Sequence, residues 1–395
     1  MTETGNASSA TTDPLNAFVS AVRVAPTGAG PLDGLTLAVK DLFDLAGQVT
    51  GGGNPEWART HAPATTHAPA VATLLAAGAE AVGKTHTDEL AYSLMGANAH
   101  YGTPVNSAAP DRMPGGSSSG SAAAVAGGMA EIGLGTDTGG SVRIPASFCG
   151  LVGLRTTHGA VPIGGTMPLA PSFDAVGWLA RSMDVVDRVA EVFGMAPAEG
   201  GPKRLLLPVD IWAEAEASTV DALAEPLSRL EGAHGPATPV VLAPDGLAAW
   251  FAAFRVIQAA EAWAAHGAWI EAHTPAFGPG VADRFAMAAR ISPAERAEAE
   301  KAREAVRERM AQVLTADHLL VLPTAPAPAP LCDAAEPVLD RFRSRALRML
   351  CPAGLAGLPQ LSLPVARVDD APIGLSLLGP AGRDRTLIAA AKAAR

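Results

Sequence analysis

The sequence predicts an α/β fold built in layers, and three observations carry that expectation. The chain is long and apolar, with 395 residues of which 48% are hydrophobic and only 17% charged, so it must bury a large core and is not disordered. Stretches with helical periodicity alternate with short apolar runs of strand length. Between 115 and 180 glycine is dense, and short apolar strands stand between glycine loops.

The elements follow in order. Residues 1–30 are rich in Thr, Ser, Gly and Pro around one apolar piece, Leu15 to Val24, which is expected to be a short helix in an N-terminal arm. Leu35 to Val39 is a β-leaning run that closes at Lys40. Ala68 to Ala77 repeats at helical spacing and stops at Gly78, a C-cap residue. Ala79 to Gly83 reads as a buried strand, and Asp88 to Leu94 as a second helix. An Ala-rich helix is expected from about 118 to 128, then a strand from Glu131 to Gly135. Residues 195–245 are rich in Pro, Ala, Gly and Glu and weakly patterned. Ala248 to Ile270 and Pro293 to Leu314 read as long helices, the second laced with Glu and Arg. Leu319 to Leu322 is a buried strand entering a Pro/Ala loop, 323–330. A helix from Pro337 to Leu350 and strands near 360–366 and 372–378 close the chain.

Composition excludes several functions. A net charge of −10 argues against nucleic-acid binding, which needs clustered Lys and Arg to displace counterions. The arginines that do cluster, Arg341, Arg343, Arg345 and Arg348, read as the solvated flank of one helix. No apolar run is long enough to span a membrane, and the first residues carry no apolar leader. Cys149, Cys332 and Cys351 are three and far apart, which fits a reducing, cytoplasmic setting. The histidines show no metal spacing, so no metal or other cofactor is expected; His61, His67 and His86 read as surface or hydrogen-bonded groups, and Cys149 as a small core residue.

Chemistry concentrates in Pro114-Gly-Gly-Ser117-Ser118-Ser119-Gly120-Ser121 and in Thr136-Asp137-Thr138-Gly139-Gly140-Ser141. A helix out and a strand back can bring Ser117 and Ser141 to one end of a sheet. The two glycines before Ser141 let backbone N–H groups turn inward toward a developing oxyanion. A serine hydroxyl needs an adjacent base at neutral pH. Lys40, at a strand end in Val39-Lys40-Asp41, is the candidate if burial lowers its proton affinity; otherwise it makes a surface ion pair with Asp41 or Asp44.

The block 115–155, with the 24-residue step from Ser117 to Ser141 and the upstream Val-Lys-Asp, resembles the signature of the amidase signature family. The resemblance extends through 83–91, 101–106, 358–364 and 372–380, and leaves 195–317 largely unmatched. It implies a single domain over 31–395 with a central mixed, twisted β-sheet flanked by helices on both faces. It also implies a triad of Ser141 as nucleophile, Ser117 as the bridging serine on a cis peptide, and Lys40 as base. The oxyanion would rest on the N–H groups of Thr138, Gly139, Gly140 and Ser141, with Ser118, Asp137 and Arg143 ordering the loops. Ser119 replaces a glycine usual in the family, and Arg155 a common lysine.

Phrases such as Gly53-Asn-Pro-Glu-Trp57 and Ala97-Asn-Ala-His-Tyr-Gly-Thr-Pro104 resemble the plant indole-3-acetamide hydrolase subgroup, which implies a small primary amide with an aromatic or apolar acyl group. The alternative implied by the family is the glutaminase component of a tRNA-dependent amidotransferase, its A subunit, which works with partner subunits. Otherwise the expected partner is the amide alone, without nucleic acid or membrane; the oligomeric state, a homodimer included, is open. The divergent helical segment 195–317 is a candidate cover for the pocket; Trp250, Phe251, Phe254, Trp263 and Trp269 recur at loosely helical spacing and read as core, with one or two of them as candidates to line an acyl pocket.

Two other patterns compete. Gly78-Ala-Glu-Ala-Val-Gly83-Lys84-Thr85 satisfies the phosphate-loop formula, which has meaning only between a strand and a helix. Gly116-Ser117-Ser118-Ser119-Gly120 satisfies the nucleophile-elbow formula, which would promote Ser118 and require a preceding strand.

Overall fold

The computed structural model describes residues 13–198, 200–202 and 204–394. In chain order the elements are β1 (Phe18–Ser20), β2 (Thr36–Lys40), α1 (Pro55–Thr60), α2 (Pro69–Ala76), β3 (Glu80–Thr85), α3 (Ser119–Ala126), β4 (Ile132–Asp137), α4 (Arg143–Phe148), β5 (Val152–Arg155), β6 (Ala175–Ala180) and α5 (Met183–Val192). The second half adds β7 (Arg204–Pro208), α6 (Val209–Trp212), α7 (Ala217–His234), β8 (Thr238–Val240), α8 (Leu247–His273), α9 (Val281–Ala288), α10 (Pro293–Val313), β9 (His318–Pro323), α11 (Glu336–Ala356), β10 (Gln360–Val368), β11 (Ala371–Leu378) and α12 (Asp384–Ala393).

Among the described residues, eleven strands join one sheet in the order β1-β3-β2-β4-β6-β5-β10-β11-β9-β7-β8. It is mixed: β2 runs parallel to β3 and β4, while β4 and β5 are antiparallel to β6. Side chains alternate across a strand, so successive residues feed different cores. In β2, Leu37 and Val39 enter the cluster that also holds Val71 and Leu74 of α2, whereas Ala38 packs with Ala122 to Val125 of α3. In β9, Leu320 and Leu322 meet Phe254 and Ile257 of α8 and Met349 and Leu355 of α11. Both faces are thus covered by helices, as the family resemblance implies.

Long helices form where local signals agree. Ser292 and Glu295 make a reciprocal cap at the start of α10, with Pro293 in its first turn. α11 continues through Pro352, past the end expected at Leu350. The carbonyl of Arg348, which a proline four residues on cannot satisfy, accepts from Cys351 Sγ at 3.7 Å, and the last turn is held by burial of Cys351, Ala353 and Leu355.

Two expectations are corrected. Leu15 to Val24 is not a helix: Phe18–Ser20 is a strand on β3, Val24 bridges Ala81, and Ala17 O accepts from His86 N at 2.9 Å. Residues 1–12 of the expected arm lie outside the described residues. Asp88 to Leu94 forms only a short 3-10 turn, Glu89–Ala91, because Leu90 and Ala91 adopt φ of 46° and 59° and Leu90 N is drawn to Gly52 O. The weakly patterned 195–245 contains β7, α6, α7 and β8, with Leu223 and Leu230 of α7 buried in the main core. Among the described residues, no helix is long and apolar enough to cross a membrane.

Candidate active site

Lys40 ends β2 between two parallel neighbours and is fully buried. Its Nζ donates to Ser117 Oγ at 2.8 Å and to Thr136 Oγ1 at 2.9 Å. Burial lowers its pKa to about 7, against the opposing pull of Asp88, Asp137 and Asp174. The surface ion pair with Asp41 or Asp44 does not form: Asp41 pairs with Lys84 at 2.8 Å, and Asp44 accepts from Thr50 Oγ1 at 2.7 Å. The same pair removes the phosphate-loop reading, because Lys84 lies inside β3 and donates to Val49 O and Thr50 Oγ1.

The Gly116–Ser117 peptide is cis. Ser117 is buried just before α3, and the return along β4 brings the second glycine loop alongside. Ser118 N donates to Ser141 O at 3.2 Å, and Ser118 Oγ to Thr136 O at 3.3 Å. Those bonds tie the two loops together and keep Ser118 occupied with backbone. No strand leads directly into it, so the elbow reading fails. Ser119, in place of the usual glycine, is the first residue of α3 and keeps a negative φ, so the substitution leaves the loop unstrained. Gly120, by contrast, admits no side chain: a Cβ there would collide with Ala17 O and His86 N.

Asp137 fixes the loop that carries Ser141. Its carboxylate accepts from Gly140 N at 2.8 Å, Val142 N at 3.1 Å, and Arg143 Nε and Nη2 at 2.9 and 2.7 Å. Arg155 donates to Asp137 Oδ1 at 3.1 Å, to the Asp137 carbonyl, and to Phe173 O at 2.9 Å. Burial alone would raise the carboxyl's pKa, but the guanidiniums of Arg143 and Arg155 hold it well below the usual carboxylate range. Arg143 continues to Leu350 O at 3.0 Å and Gln360 Oε1 at 2.6 Å, linking the loop to α11 and β10. Thr138 Oγ1 donates to Asp174 Oδ1 at 2.5 Å, and Asp174 accepts from Leu169 N and Ala170 N.

Gly140 must leave the expected set of oxyanion donors, because its N–H is committed to Asp137. The N–H groups of Thr138, Gly139 and Ser141 have no acceptor among the described residues. Ser141 Oγ likewise has no hydrogen-bond partner there, and Ser141 lines a cavity of about 350 Å³, open solvent at its mouth included.

Apolar contact in the cavity comes from Tyr92, Leu94, Leu169 and Leu347, and polar contact from Gln258 of α8, Arg284 of α9 and Arg343 of α11. The divergent segment therefore supplies two wall residues. Phe254 backs Gly139 closely enough that a Cβ on the glycine would lie 2.9 Å from its ring, while Trp250 packs in the core and Trp263 and Trp269, which cluster with Trp57, do not line the cavity. Arg343, expected on a solvated flank, is turned inward with a side chain 13% exposed and pairs with Glu336 and Asp340; Arg345 and Arg348 bind Glu216 and Glu214. Arg284 lies over the Tyr92 ring at 5.7 Å, with no carboxylate in salt-bridge reach among the described residues. Asp174, Gln258, Arg284 and Arg343 carry no motif, and Thr136, though it opens the second glycine loop, has no role assigned from sequence.

A family model described as Amidase matches residues 8–209 and 254–388, so the unmatched insert is narrower than the 195–317 expected. Amidase 1 of Arabidopsis thaliana is 39% identical over 96% of this chain and 97% of its own. The glutamyl-tRNA(Gln) amidotransferase of Natronomonas pharaonis has an A subunit that is 33% identical over 96% of this chain and 99% of its own. Among solved structures, a crystal structure of an amidase superposes with a TM-score of 0.83 at 32% identity, covering 92% of this chain and 84% of that one.

Proposed function

Because this chain belongs to the amidase family, we propose that it hydrolyses a small primary amide to a carboxylic acid and ammonia, with Ser141 as nucleophile, Ser117 as proton bridge and Lys40 as base. The observation that carries this reading is the buried Lys40 amine donating to Ser117 Oγ at 2.8 Å, in surroundings that disfavour its charge. Uncharged, Lys40 takes the Ser117 proton while Ser117 takes that of Ser141, and the freed electron pair of Ser141 Oγ attacks the amide carbon. Negative charge gathers on the carbonyl oxygen, where the N–H groups of Thr138, Gly139 and Ser141 are available to it. The proton returns through Ser117 to the leaving nitrogen, ammonia departs, and water completes hydrolysis of the acyl-enzyme. Asp137, Arg143 and Ser118 act on the loops and not on the substrate. Tyr92, Leu169 and Leu347 suit an aryl- or alkyl-acetamide. The three unbridged cysteines support a cytoplasmic setting.

One observation favours the glutaminase reading: Arg284 sets a guanidinium without a carboxylate partner on the cavity wall, where a substrate carboxylate could meet it. The purified chain, offered indole-3-acetamide, phenylacetamide and glutamine, separates the two. Ammonia from the arylacetamides by the chain alone supports the amidase; ammonia from glutamine only after amidotransferase partners are added supports the alternative. Inertness toward every amide overturns both.

A further inference from the structure

We propose that Asp88 is a positioning residue for the Lys40 base, its carboxylate packed under the Gly116–Ser117 peptide and supplying the charge against which Lys40 takes up a proton. This inference rests on the reaction proposed above.

Asp88 is completely buried. Its N–H donates to Ser117 O at 3.3 Å, so its backbone is tied to the bridging serine. Its carboxylate lies so close to Gly116 that a Cβ there would collide with both oxygens. One oxygen, Oδ2, accepts from Gly96 N at 3.0 Å, and the nearby Ser93 side chain also favours the ionised carboxyl. The other, Oδ1, is sealed from solvent and has no hydrogen-bond partner. Leaving a buried carboxylate oxygen unpaired is unfavourable, so an orphan oxygen beside a reacting group points to an electrostatic task.

The charges that face this site are few. Asp88, Asp137 and Asp174 face Lys40, while Lys40 and Arg284 face Asp88. Asp137 is neutralised by two arginines, and Asp174 lies across the Thr138 hydroxyl, already accepting three hydrogen-bond donors. Asp88 has neither arrangement, and no hydrogen bond joins it to Lys40. It acts through space in a region of low dielectric, where a charge has long reach. Burial raises the Asp88 pKa, while Gly96 N–H and Lys40 pull it back down. So as the proton passes from Ser141 through Ser117 and Lys40 becomes an ammonium, the Asp88 carboxylate is favoured and stabilises that product of the transfer. Without the carboxylate, Lys40 would lose its proton at lower pH but would also be a weaker base.

A purely structural Asp88 would hold the 93–96 loop and nothing more, and asparagine keeps an oxygen for Gly96 N. The test is therefore the pH profile of Asp88→Asn with phenylacetamide. The acid limb of kcat/KM should move about one unit to lower pH, and the plateau kcat should fall about tenfold, since a tenfold change in proton affinity is one unit and base strength feeds the rate. KM should stay within about twofold, because Asp88 does not line the cavity. An acid limb at the wild-type position in a folded Asp88→Asn protein overturns the proposal. If circular dichroism shows that variant unfolded, Ser93→Ala takes its place. Loss of the hydroxyl disfavours the ionised carboxyl, so a smaller shift in the same direction supports the proposal and an unmoved limb overturns it. A wild-type protein inert toward all amides is a separate result: it removes the hydrolytic reading itself.

Discussion

The two walls of the Ser141 cavity are built on opposite principles. On one side, the strand ends of β2 and β4 and the loops after them hold their buried charged side chains against partners and leave the N–H groups of Thr138, Gly139 and Ser141 open: Asp137 accepts from three backbone N–H groups and two arginines, and Lys40 sits between two hydroxyls. On the other side, α8, α9 and α11 offer Gln258, Arg284 and Arg343, and Arg284 faces the cavity without a carboxylate partner. Groups saturated by the protein cannot rearrange for each substrate, so the first wall is suited to one reaction; the second, with binding capacity unspent, is suited to choosing what reacts.

The sharpest way to break this division is to remove the reacting groups. Ser141→Ala and Lys40→Ala should each lower kcat by roughly 10³-fold or more, with the double variant little worse than either, because the groups act as one unit. Steady-state kinetics on arylacetamides read this directly, and an Arg284→Leu variant losing as much would abolish the distinction between the walls.

Next in size is stability. Asp137→Asn leaves Arg143 and Arg155 buried without their counter-charge and should destabilise the fold by about 3–5 kcal/mol in urea unfolding. Gln258→Leu on the opposite wall should change it by less than about 1 kcal/mol.

A smaller, graded effect is expected from pH. With Lys40 needed uncharged and its pKa lowered to about 7, kcat/KM should be full above that value and fall about tenfold per unit below it. A profile flat from pH 5 to 8 would remove Lys40 as the base. Smallest, Arg284→Leu should alter the ratio of kcat/KM between glutamine and phenylacetamide by roughly tenfold while leaving the pH profile in place, since a hydrogen bond to a charged group contributes about 1.5–3 kcal/mol.

The same two walls differ in how far they could be read from the chain. Ser117, Ser141, Asp137 and Lys40 lie in short segments whose residue types are demanded by local chemistry, and the helix and strand between the serines set their juxtaposition. Thr136 sits one residue before Asp137 and was passed over, because its contact with Lys40 depends on the parallel register of β2 and β4. Arg284 and Arg343 come from helices whose docking no periodicity specifies; Arg343 has the same spacing as its solvated neighbours. Leu15 to Val24 misled for a related reason: its apolar spacing is helical, but pairing with β3 imposes an extended backbone. Gly140 was expected as a donor from its place in the loop, and only the carboxylate of Asp137 explains why its N–H is taken.

The order of the sheet has a practical corollary. Strands β1 to β6 occupy one half and β7 to β11 the other, meeting along a short antiparallel seam in which Gln360, Leu361 and Ser362 face Arg155, Leu154 and Gly153. Lys40, Ser117 and Ser141 all lie in the first half, yet two of the acceptors that orient Arg143, Leu350 O and Gln360 Oε1, come from the second. A polypeptide severed between α5 and β7 would carry every proposed reacting group on one piece and remain idle until the other piece docked, so the molecule is naturally suited to a split reporter whose signal is reassembly.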